Sequence, residues 1–306
     1  MTEGPQPRTG HVAIVGRPNV GKSTLLNALV GEKVSITSRK PQTTRERVLG
    51  VVTRGEPPEQ SQFIFVDTPG LQRRHGSLLN RRMNEAVRHA LASVDAAVLV
   101  IEARGWTAED EAVLNLLPRP ESAGESRAIL AINKCDLLAE RDRLLPLIGS
   151  SSTKFPFAAI VPVSAERSQQ TAALLDEIGK LLPRGELLFD PDAYTDRSER
   201  FLAAELVREK AFRLLGDELP YGIAVTIDRW VDEDGGTSII ATLIVERDSH
   251  KGIVIGKAGS KLKEIGTQAR RDIVALLGRP VHLETHVRVR QGWHDDAAAL
   301  RSFGYE

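Results

Sequence analysis

The stretch GRPNVGKS, residues 16–23, constrains this chain more than any other, because it joins an apolar run, HVAIV (11–15), to a helical stretch from Thr24 to Val30. The pattern G-x-x-x-x-G-K-[ST] between a strand and a helix is the chemistry of a phosphate cradle. Gly16 and Gly21 let the main chain wrap closely. Successive N–H groups from Asn19 and Val20 on to Thr24, together with the helix N-terminus, then face a β-phosphate. Lys22 adds positive charge toward the β- and γ-phosphates, and the Ser23 hydroxyl suits Mg²⁺.

A cradle of this kind needs a sheet beneath it, and the sequence supplies one. Short apolar runs at 11–15, 63–67, 96–103, 128–133 and 158–164 alternate with amphipathic stretches, which predicts a mostly parallel sheet with helices on both faces. Residues 47–53 read as a further strand, turned by GEPPEQ (55–60) into an antiparallel edge. The proline-rich segment PRGELLFDPD (183–192) interrupts the alternation. Beyond it the order is helix, strand, strand, helix, helix, strand, a smaller α+β domain. At 306 residues the chain is long enough for two cores. The expected division is a nucleotide domain over 1–182, a linker over 183–196 and a second domain over 197–306.

Composition narrows the partners. Forty-one Lys plus Arg balance forty-one Asp plus Glu, so contact with nucleic acid or anionic lipid must rest on a local patch. The lone cysteine, Cys135, excludes an internal disulfide and fits a reducing interior. The first ten residues lack a signal-peptide pattern, and the most apolar short stretch, 96–101, is too short to span a bilayer. A cytoplasmic monomer is the expectation.

Three further loops fall where ligands bind in such sheets, at strand ends. Asp67 closes the 63–67 run and opens DTPG; it can reach Mg²⁺ through water while the Gly70 amide senses a γ-phosphate. Upstream, KPQTTRER (40–47) is a polar loop suited to closing over the metal, with Thr44 favoured as its ligand over Thr43. The run 128–133 leads into NKCD, and the run 158–164 leads to Ser164 and Ala165. The Asp136 carboxylate accepts from guanine N1–H and the exocyclic amine, and the Ala165 N–H donates to O6, a pattern that adenine reverses. Asn133 ties the loops together, and the Lys134 stem lies along the purine.

Together these motifs resemble the translation-factor class of GTPases. Ras-like members of that superfamily place a water-orienting glutamine after the DxxG glycine, where this chain has Leu71. The chain is therefore similar to the hydrophobic-substituted group, with Gln72 one residue late and solvent-facing. That resemblance leaves Lys22, Thr44, Gly70 and Asn19 as the catalytic candidates. It implies that Asn19 helps hold a K⁺; the other reading of Asn19 is a loop-stabilising amide.

In the second domain GKAG (256–259) separates two helical pieces. Between Arg247 and Arg271 seven basic residues face two acids, a local charge of +5. That is an electrostatic footprint for nucleic acid. Gly256, Lys257, Ala258 and Gly259 admit a phosphate backbone between two helix ends, with Lys261, Lys263 and Arg270 nearby and the apolar side chains of Ile253, Val254 and Ile255 under the bases. VIGKAGSKLKEIG resembles the type II K-homology motif. From about residue 8 to 306 the combination is similar to the bacterial Era family of GTPases. The resemblance implies binding of GTP and GDP, Mg²⁺ and K⁺. It also implies single-stranded 16S rRNA near its 3′ end as partner, a role in 30S subunit maturation, and peripheral contact with the inner membrane. The strand VHLETHVRV (281–289) puts His282 and His286 on a polar face, which reads as an amphipathic strand and not as a metal site. Cys135 reads as a space filler, and Trp230 and Trp293 as too scattered for a stacking platform.

Overall fold

The computed structural model describes residues 6–37, 48–70, 78–120, 122, 124–215, 219 and 222–303. The chain forms two compact units, the first mostly over Met1–Ser35, Thr44–Arg73 and Met83–Asp196, the second mostly over Arg197–Glu306. Among the described residues, six strands of the first unit make one sheet in the order β2-β3-β1-β4-β5-β6. These are β1 (Arg8–Val15), β2 (Val48–Arg54), β3 (Ser61–Asp67), β4 (Ala96–Glu102), β5 (Ala128–Asn133) and β6 (Ala159–Pro162). Only β2 is antiparallel to its neighbour. The apolar runs are the strands because both sheet faces are covered. Val12, Ile14, Phe63, Phe65, Val98 and Ile129 pack on one face, with α1 (Lys22–Val30) and α5 (Thr171–Leu181). Ala13, Val15, Val66, Leu99, Leu130 and Ile132 pack on the other, with α3 (Ala108–Leu114) and the part of α2 (Leu78–Ser93) that follows Met83.

Chain order reverses at β1, which pairs with β3 on one side and β4 on the other. Ligands bind such sheets at this switch point, beyond the carboxyl ends of the strands. Register fixes what gathers there: Ile14 stands beside Asp67, and Glu102 beside Asn133. Helix α1 starts where Gly21 takes φ +98° and stops at Gly31, whose left-handed backbone returns its N–H to the Asn27 carbonyl. Helix α4 (Leu144–Lys154) completes the layer beside β6.

The segment 183–196 does not run free of the first unit. Gln62 on β3 donates to the Phe189 carbonyl at 2.9 Å and accepts from the Leu188 and Phe189 amides. Val51 donates to the Tyr194 carbonyl at 3.0 Å, and the Thr195 hydroxyl to that of Leu49 at 2.7 Å. The unpaired edge of β2 explains this course, since an extended strap satisfies its backbone groups. The 158–164 run shortens to Ala159–Pro162, because Ser164 turns to bridge Gln169.

The second unit packs α6 (Glu199–Leu214), α7 (Asp248–Ile255) and α8 (Ser260–Leu277) on a three-stranded sheet of described residues. Strands β7 (Ile223–Glu233) and β8 (Gly236–Val245) are antiparallel, joined by a two-residue Asp-Gly turn, and β9 (Val281–Val289) runs parallel to β8. The short α9 (Ala297–Ser302) follows β9, capped by the Asp296 carboxylate. No helix among the described residues is long and apolar enough to cross a membrane.

Candidate nucleotide site and nucleic-acid loop

Both loop glycines are demanded by contact. A Cβ at Gly16 would lie 2.6 Å from the Val100 carbonyl oxygen, and one at Gly21 would lie 2.4 Å from the Asn133 amide nitrogen. Gly70 abuts the same loop, since a Cβ there would meet the Pro18 main chain at 2.9 Å. DTPG and the phosphate loop are therefore in contact through backbone, at a distance only glycine permits.

Lys22 is buried, and its amine donates to the Gly16 and Arg17 carbonyls at 3.1 and 3.0 Å. Burial pulls its pKa down to about 8, against the opposing charge of Asp67. The Ser23 hydroxyl donates to Asp67 Oδ2 at 2.8 Å, and the Ser35 hydroxyl to the same oxygen at 2.9 Å. These three groups are hard oxygen donors facing one another, a set that suits Mg²⁺ completed by phosphate and water. Within the loop Val20 is buried and Asn19 is exposed with φ +66°, and Thr24, just after it, is half-buried. Thr43, Thr44, Leu71 and Gln72 lie outside the described residues.

On the base side, Asn133 is buried; its amide donates to the Val20 carbonyl at 2.8 Å and accepts from the Ala165 N–H at 3.0 Å. One side chain thus joins the phosphate loop, NKCD and the Ser-Ala turn. The Ser164 hydroxyl donates to Asp136 Oδ1 at 2.6 Å, and Arg167 lies 3.8 Å from Oδ2. Cys135 donates to the Ile132 carbonyl, and burial raises its thiol pKa. Lys134 turns across the site, its amine reaching the Asn19 carbonyl at 2.7 Å and the Glu102 carboxylate.

Sequence patterns did not point to Ser35, Glu102, Arg17 or Asp110. Ser35 is placed by Asn27, whose amide donates to the Ser35 carbonyl at 2.7 Å and accepts the Val34 and Ser35 amides. Arg17 lies 3.2 Å from Glu102 and 3.3 Å from Asp110, the buried carboxylate that forms a capping box with Thr107 on α3. The usable signal was positional: Glu102 ends a strand at the ligand-binding edge.

In the second unit α7 and α8 meet at GKAG. Gly256 has φ +70°, and a Cβ there would press on Lys261 at 2.8 Å; Ala258 and Gly259 are also left-handed, at +51° and +79°. Lys257, Ala258, Lys263 and Arg270 are exposed, and Lys261 pairs weakly with Glu264 at 3.7 Å. Ile253 is 47% exposed and Ile255 half-buried, but Val254 is fully buried in the core and offers no surface to a base. That corrects the expectation for Val254: three consecutive residues of a helix cannot share one face. Along β9, His282, Glu284, His286 and Arg288 face outward, alternating with half-buried Leu283, Thr285, Val287 and Val289. Trp293 is buried beside Phe303, its indole N–H donating to the Gly222 carbonyl.

A phosphate loop at the switch point of a mostly parallel sheet, with DTPG, NKCD and Ser-Ala at neighbouring strand ends, defines the first unit as a P-loop GTPase domain; the helix-GKAG-helix on a β-β-β sheet defines the second as a KH domain. Residues 11–134 match the family described as 50S ribosome-binding GTPase, and residues 218–294 match the KH domain. GTPase Era of Bordetella avium is 54% identical over 98% of both chains, and GTPase Era of Nitrosomonas eutropha is 50% identical over 98% of both. A solved structure of an Aquifex aeolicus Era variant bound to GDP.AlF4- superposes with a TM-score of 0.91 at 42% identity, covering 97% of this chain and 99% of that one. A second solved Era, in complex with MgGDPNP and nucleotides 1506–1542 of 16S ribosomal RNA, gives 0.91 and 42% over 98% and 99%. The chain belongs to the Era family of GTPases.

Proposed function

We propose that this protein binds and hydrolyses GTP to GDP as a slow switch, and that it binds single-stranded 16S rRNA near its 3′ end during 30S subunit maturation. The observation that carries the reading is the pairing, in one chain, of the loops joined by Asn133 with an exposed GKAG loop in a segment of charge +5. The solved Era complex with a 16S fragment supports the small subunit as partner. The family description naming the 50S subunit concerns residues 11–134 alone, so it bears less on the RNA-binding half.

In this reading the first domain runs to residue 182, the strap 183–196 links it, and residues 197–306 hold RNA. Gly16 to Thr24 enclose the phosphates, Lys22 offers its charge and Gly70 its amide to the γ-phosphate. Asn133, Lys134, Asp136, Ser164 and Ala165 hold guanine. Ser23 and Asp67 hold Mg²⁺ with Thr44, and Mg²⁺ when bound neutralises charge on the phosphates. Asn19, exposed at the loop tip, helps hold K⁺; replacing K⁺ with Na⁺ then slows hydrolysis, and Asn19→Ala removes the difference. Ile253, Ile255, Gly256 to Gly259, Lys261, Lys263 and Arg270 form the RNA surface. The protein works as a cytoplasmic monomer with peripheral contact at the inner membrane, which cell fractionation and sedimentation check.

Crosslinking the full-length protein to RNA in cells and sequencing what is attached tests the central claim. Reads concentrated at the 3′ end of 16S rRNA are expected. Reads spread over tRNA or 23S rRNA would overturn it.

A further inference from the structure

Glu102 closes β4 level with Asn133 of β5, and it belongs to none of the nucleotide motifs. Its carboxylate takes two cations, the Lys134 amine and the Arg17 guanidinium. The Lys134 amine also donates to the Asn19 carbonyl at 2.7 Å, while Arg17 reaches on to buried Asp110 at 3.3 Å. One carboxylate thus joins the base loop to the phosphate loop. Both joints need holding, since Asn19 and Lys134 take left-handed φ of +66° and +63°, a region sparsely occupied by non-glycine residues.

We infer that Glu102 is a positioning residue for the guanine nucleotide, fixing the Lys134 side chain across the base site and coupling NKCD to the phosphate loop. The inference rests on the nucleotide-site reading above and extends it to a residue outside the motifs. Burial pushes the Glu102 carboxyl up, but the hydrogen bond and charge of Lys134, with those of Arg17, outweigh it and hold the group below its ordinary value. The carboxylate is therefore ionised at neutral pH, and its bonds are charge-assisted, roughly twice as strong as neutral ones. A glutamine at 102 keeps the size and one acceptor oxygen but loses that charge. Loosening an already formed contact acts mainly on the rate of leaving.

The test is release of a fluorescent GDP analogue from the full chain with Mg²⁺ present. Glu102→Gln raises the dissociation rate about tenfold, and the KM for GTP rises by more than kcat falls. Lys134→Met, which keeps an apolar stem, gives a similar rise, and adding Glu102→Gln to it changes the rate by less than about twofold, because residues acting as one unit are not additive. An unchanged rate in Glu102→Gln overturns the inference, as does a full tenfold effect persisting in the Lys134→Met background. Equal affinity of the unaltered protein for GDP and ADP is a different result, which overturns the guanine reading beneath it.

Discussion

In the proposed guanine site the choice of base would rest on the two Asp136 carboxylate oxygens, one of which accepts from Ser164 at 2.6 Å. Asp136→Asn turns one acceptor into a donor, so GTP binding should weaken by roughly 10- to 100-fold, the cost of an unpaired buried polar group. Xanthosine triphosphate, with a carbonyl at C2, should become the preferred ligand; titration with both nucleotides decides it. Lys22 sets a pH dependence. Its folded pKa of about 8 lies below the unfolded 10.5, so between these values the unfolded chain holds the proton that the folded chain has lost. In that window the free protein gains stability from this group as pH rises. In the proposed phosphate site the nucleotide would need the charged amine, so affinity for GDP should fall as pH passes about 8, by up to about tenfold per unit, with a proton taken up on binding. Calorimetry in buffers of different ionisation heat measures that proton directly.

Among the elements, the proposed RNA loop between α7 and α8 allows binding to be tested apart from folding. Ala258 already sits at φ +51°, a region that Asp occupies more readily than Ala, so Lys257→Asp with Ala258→Asp reverses charge without straining the turn. Gly256, packed on Lys261, is left in place. Affinity for a single-stranded 3′ tail of 16S rRNA should fall several-fold or more, and its salt dependence should become shallower as fewer counterions are released. GDP affinity measured on the same preparation should hold. An unaltered salt slope would make the basic face of α7 and α8 a solvated surface only.

For the whole molecule, neutrality has a consequence: with 41 charges of each sign, long-range attraction to RNA is weak, and the local patch must carry it. Hydrogen exchange on the full chain maps the two ligands onto the two units. GDP should protect amides of 16–23, 133–136 and 164–165, and the 3′ RNA tail those of 253–263. At a thousandfold excess over Kd each ligand stabilises the unit it binds by about 4 kcal/mol, enough to slow exchange there markedly. Protection of 256–259 by GDP alone would assign that loop to the nucleotide site.

Much of this was readable from sequence. Phosphate loop, DTPG, NKCD and GKAG are local devices, in which glycine spacing and a few side chains dictate backbone form within one turn. The apolar runs located the strands because a sheet buried on both faces leaves no polar alternation to misread. Long-range register was not readable. Ser35 reaches Asp67 through the Asn27 clamp, Gln62 holds the 188–189 strap, and Glu102 meets Lys134 because β4 and β5 run parallel in step. Val254 points into the core, which sequence alone does not reveal, because an apolar residue beside a functional loop looks the same whether its helix face points inward or outward. The sequence by itself determined which chemistry this chain carries, since that depends on residue types at short spacing; only the tertiary structure decided which side chains hold that chemistry in place, since those contacts join residues as far apart as Asn19 and Lys134, 115 positions.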